Sequence, residues 1–155
     1  PGFDRSALFA SFWTASFVSA VALSRMKPLR RPGRAMIASH LVGAIALLSF
    51  AIDKPFFEFT LIVMVWGLAA GVAISMSRTI VQGAAEPQFL GRVLSVYSMG
   101  FMGGAPLGSA LTGFAASELD AHVAAIIPAV ALIVASLGLA LFTPLWRYRT
   151  DRTDQ

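Results

Sequence analysis

Five stretches of this chain carry no Asp, Glu, Lys or Arg: residues 6–24, 35–52, 59–77, 93–117 and 121–146. A helix of 19 residues, the length of the first stretch, is roughly 28 Å long, against a hydrocarbon core of about 30 Å, and the longer stretches span by tilting. A membrane barrel needs shorter segments in which polar and apolar residues alternate. Here Ala46-Leu47-Leu48 and Leu61-Ile62-Val63-Met64-Val65 are apolar on every side, which favours helices. The expected fold is therefore all-α, a polytopic transmembrane bundle of five spans over residues 1–155, with residues 147–155 as a tail.

Composition agrees. With 57% hydrophobic and 13% charged residues the chain has too little polar surface to coat a soluble globule, and its mean hydropathy is +0.74. The net charge of +4 does not signal nucleic acid, because five of the twelve basic residues fall in one segment, 25–34, and most of the others flank apolar runs. No nucleic-acid partner is expected; the lipid bilayer is. Cysteine is absent, which excludes disulfides and thiolate metal sites. The chain opens Pro1-Gly2-Phe3-Asp4-Arg5 without an initiator Met, which we read as a cut in a longer chain.

The connections alternate in charge. Segments 25–34 and 78–92 and the tail from Arg147 hold ten Lys or Arg, whereas the N-terminal stub and the loops 53–58 and 118–120 hold only Arg5 and Lys54. The positive-inside rule then predicts a start outside the cell and a cytoplasmic C-terminus, with Arg25, Lys27, Arg30, Arg31, Arg34 and Arg92 on the cytoplasmic side. The basic loop admits two further roles, contact with anionic lipid and part of a cytoplasmic gate. Trp146 and Tyr148 suit an interfacial anchor, and Thr79 to Ala85 can continue the third helix beyond the membrane.

Catalysis has little to work with. His40 lies in the second span and His122 at the edge of the fifth, no acidic residue lies within a span, and no spacing brings Ser109 to His40. We expect no enzyme activity, no metal and no cofactor; no phosphate-cradling glycine loop is present either. For His40 two readings stand, a hydrogen-bonded packing residue or a cavity-lining, proton-sensing group. In the fourth stretch Gly100, Gly104 and Gly108 recur every four residues and Pro106 interrupts the backbone ladder. That pattern predicts a close helix contact and a bend, serving either packing alone or a rocking motion. Gly67 and Gly71 repeat the spacing once, for packing.

The order of these elements, with paired Arg30-Arg31 and with Glu86-Pro87-Gln88-Phe89-Leu90-Gly91-Arg92-Val93 leading into a glycine-rich helix, resembles the C-terminal half of bacterial major facilitator superfamily transporters, spans eight to twelve of a twelve-helix fold. The branch it looks most like contains siderophore exporters and macrolide-efflux permeases. One part of the family's cytoplasmic signature is missing: where Gly and Asp precede the paired arginines, this chain has Ala22 and Met26. The resemblance implies a secondary transporter of the bacterial inner membrane that exports small organic molecules by alternating access. It also implies a missing N-terminal half as partner and a central cavity, for which Trp13, Ser16, Trp66, Ser98 and Met102 are the candidates by position. The alternative is a non-transporting membrane subunit or assembly factor that uses its small-residue faces only for contacts.

Overall fold

The computed structural model describes residues 2–119 and 121–146, with side chains for 5–119 and 123–146. The tail with Tyr148, and the His122 side chain, lie outside the described residues. Among the described residues all regular structure is helical: α1 (Gly2–Arg25), α2 (Pro32–Ser49), α3 (Phe56–Ala84), α4 (Leu90–Glu118) and α5 (Ala121–Phe142), with short 3₁₀ turns at Pro87–Phe89 and Pro144–Trp146.

Proline sets several of the boundaries. Pro32 occupies the first position of α2, where its missing N–H is no loss, and Arg31 before it lies outside the helical region at φ −137° and ψ 71°. Pro55 precedes α3 and accepts the Phe59 N–H through its carbonyl at 3.0 Å. Glu86, held extended by the following Pro87, separates α3 from the turn that leads into α4. The third helix runs 29 residues, so its last turns, Thr79 to Ala84, continue past the uncharged stretch.

Four helices, α1, α2, α3 and α5, are long and apolar enough to cross a membrane. α4 equals α3 in length, but its glycines, serines and Pro106 dilute its apolar character. The hydroxyls behave as a bilayer requires. Ser11 donates to the Ala7 carbonyl at 2.7 Å, Ser39 to Met36 at 2.8 Å, Thr112 to Gly108 at 2.8 Å and Ser136 to Leu132 at 2.6 Å, each one turn back on its own helix. A hydroxyl so paired needs no water.

α3 is the centre of the packing, with α1 on one side and α2 on the other; α2 in turn packs on α5, and α4 lies at the edge against α5 with a light contact to α3. The core is built from small side chains, among them Ala15, Ala44, Ala69, Ala73 and Ala129, together with Met36, Ile37 and Val63. Small residues suit a lipid environment, where hydrophobic expulsion does not hold helices together and close backbone approach must.

Candidate functional site

The tightest helix crossing is that of α1 on α3. A Cβ added to Gly67 meets the Phe12 carbonyl oxygen and lies 3.1 Å from Ala15 Cβ, and one added to Gly71 meets the Ser16 carbonyl and Ser19 hydroxyl oxygens. Two glycines four apart thus present a groove on one face of α3 into which the α1 backbone fits. Ser16 and Ser19 are both 7% exposed, and the Ser19 hydroxyl donates to the Ser16 carbonyl at 2.9 Å. Burial of that small polar pair leaves no donor of Ser19 stranded at the crossing.

Above this crossing the rings collect. Trp66 of α3 stands 4.7 Å from Phe12 of α1 and 5.9 Å from Phe50 at the end of α2, and Phe50 stands 4.7 Å from Phe59. Trp66 also fills the space over Gly43 of α2, where an added Cβ lies 3.5 Å from its Cδ1 and 3.6 Å from Leu132 Cδ2 of α5. One side chain therefore joins α1, α2 and α3 and reaches the seam with α5.

At the opposite end α2 is clasped to the end of α5. Pro32 is fully buried, and a Cβ on Gly33 meets the Leu145 carbonyl oxygen, so the two backbones touch. Beside them Arg34 donates from Nε to the Trp146 carbonyl at 3.2 Å, and its guanidinium carbon lies 4.7 Å from the Trp146 ring centroid. One side chain makes both a charge-assisted hydrogen bond and a cation–π contact.

The five cavity candidates do not converge. Ser16 lies in the α1–α3 crossing and Trp66 in the aromatic cluster, whereas Trp13 is half exposed on α1 against Phe9 and Phe12. Ser98 and Met102 lie on α4, which packs on α5 and α3 and not on α1, and Met102 is 74% exposed. Gly100, Gly104 and Gly108 have no atom within 4 Å of an added Cβ, and no described residue of α4 is buried. Their stripe faces open space, while the shorter Gly67 and Gly71 pair carries a contact. Among the basic residues Arg25, Lys27, Arg30 and Arg92 are exposed, and Arg31 and Arg34 are partly covered. The sequence marked Trp146 and Arg34 without their pairing and gave no role to Phe12, Phe50 and Phe59; an aromatic residue in each of the first three spans was the available signal.

Among the described residues no group of His, Asp and Glu is placed to hold a metal ion. His40 Nδ1 is buried and makes no hydrogen bond there. The arrangement supplies helix contacts and open helix faces rather than a reactive constellation. No characterised protein and no solved structure matches the chain significantly. A family model, that of the Major Facilitator Superfamily, matches residues 4–155, nearly the whole chain, and the multi-pass helical fold accords with it: the chain belongs to this superfamily of membrane transporters.

Proposed function

We propose that this chain forms the C-terminal part, spans eight to twelve, of a secondary active transporter of the bacterial inner membrane. In this reading it exports a small organic molecule by alternating access, in the manner of the siderophore-exporter and macrolide-efflux branch. The observation that carries the reading is the open face of α4 in a chain whose family match covers residues 4–155. A helix whose six glycines all face open space presents a small-residue surface suited to close approach by a second bundle. Ser98 and Met102 on α4 and Trp13 on α1 are the exposed candidates for lining the cavity, and Ser16 and Trp66 serve as packing supports. The partner is a further transmembrane half, against which this bundle rocks around a midplane site. The positive-inside distribution supports a cytoplasmic position for segment 25–34.

Reconstitution into liposomes tests the proposal, with the full gene product and this chain side by side and a panel of dyes and siderophore-like compounds. Gradient-dependent, saturable flux is expected from the full product and not from the chain alone. Flux from the chain alone refutes the need for a second half, and no flux from either refutes transport of these substrates.

A further inference from the structure

We propose that the loop joining α1 and α2, together with Arg34 and Trp146 beside it, is a binding site for the headgroups of anionic phospholipids. α1 and α2 each have the length and apolarity to cross a membrane, and only residues 26–31 join them. Six residues reach about 20 Å when fully extended, so the loop cannot leave the headgroup layer of whichever leaflet it faces.

Five cations sit in or next to this loop: Arg25, Lys27, Arg30, Arg31 and Arg34. No acidic residue lies in the sequence between Asp4 and Asp53, so the chain on either side of the loop adds no negative charge to it. Arg25, Lys27 and Arg30 are exposed. Each basic residue near an anionic bilayer surface is worth roughly a fivefold gain in association.

Arg34 adds geometry to charge. Trp146 holds its guanidinium through the ring face and through Nε, and among the described residues the two terminal nitrogens have no hydrogen-bond acceptor. A guanidinium already fixed in orientation loses little freedom when it grips a phosphate with two parallel N–H bonds. Pro32 and Gly33, packed on Leu145, fix the backbone from which it projects. Trp146 itself supplies an amphipathic ring at headgroup depth. The site thus combines an exposed part, Lys27 and Arg30, with one oriented fork, and the membrane surface presents the matching anion at high local concentration. The assignment holds on either side of the membrane and does not depend on what the transporter carries.

Native mass spectrometry of the full chain, released from nanodiscs of equimolar phosphatidylcholine and phosphatidylglycerol with matched acyl chains, tests it. Retained phosphatidylglycerol is expected to exceed phosphatidylcholine roughly fivefold. Lys27→Gln/Arg30→Gln should bring the ratio close to that of the bulk bilayer, and Arg34→Lys, which keeps the charge and loses the fork, should fall between. Arg78→Gln/Arg92→Gln removes two charges from the same end of the bundle and should leave the preference in place; circular dichroism confirms helix content in each variant. An equal loss in both double variants, or no preference in the parent, overturns the site. Loss of the preference when inorganic phosphate replaces chloride at equal ionic strength overturns the lipid as occupant and assigns the site to free phosphate.

Discussion

The guanidinium of Arg34 lies against the indole of Trp146, 4.7 Å from the ring centroid, while its Nε donates to the carbonyl of the same residue at 3.2 Å, across 112 positions of sequence. Two interactions on one residue tie the start of α2 to the end of α5. Arg34→Ala should lower stability by about 1 to 2 kcal/mol, the sum of a partly exposed cation–π contact and a charge-assisted hydrogen bond. Trp146→Leu should lose only the ring contact, because the backbone carbonyl remains. Unfolding in mixed micelles as a function of SDS checks both, and an Arg34→Ala midpoint equal to the parent's shows that the clasp adds nothing.

The α1–α3 crossing predicts a sharp size limit at Gly71. Gly71→Val forces a branched side chain against the Ser19 hydroxyl and into the Ser16 backbone, and the backbone cannot turn aside. A cost of about 1 to 3 kcal/mol and a fall in folded yield are expected. Gly138→Val, with open space at its Cβ, is the matched control by detergent thermal stability.

Gly104 behaves differently. An added side chain meets no described atom, so Gly104→Leu should leave the melting of this chain unchanged. In the complete transporter the same substitution should lower the yield of folded protein if α4 docks on the other half. An unchanged yield there shows that the glycine stripe faces lipid.

Orientation is tested without disturbing any native thiol, since the chain has none. Cysteines placed singly at Arg30 and Ser117 should respond oppositely to a membrane-impermeant thiol reagent on intact cells, with labelling at 117 and protection at 30. The reverse pattern inverts the topology.

His40 Nδ1 is buried without a hydrogen-bond partner among the described residues, and its removal separates packing from function. His40→Met fills similar volume without the unpaired polar atom and should be neutral to mildly stabilising, by up to about 1 kcal/mol. Unchanged stability with lost flux in the full product assigns His40 a transport role; retained flux leaves it to packing.

What the sequence determined by itself is local. An uncharged stretch long enough to span a bilayer must satisfy its own backbone polar groups, and a helix does so within the segment, so helical class and multi-pass character follow from composition along the chain. The turns after Arg31, Pro55 and Glu86 are also local, because proline restricts itself and the residue before it. Partnership is not. Gly67 with Gly71 and Gly100 with Gly104 and Gly108 share one spacing, yet only the first pair meets another helix, because a groove becomes a contact when a second element supplies a matching register. In the same way Trp66 and Ser16 read as polar or aromatic positions, and only the packing of α1 on α3 set Ser16 in the crossing and Trp66 among the rings. Arg34 and Trp146 read as a topology charge and an interface anchor, and only the packing of α2 on α5 brought the cation over the ring.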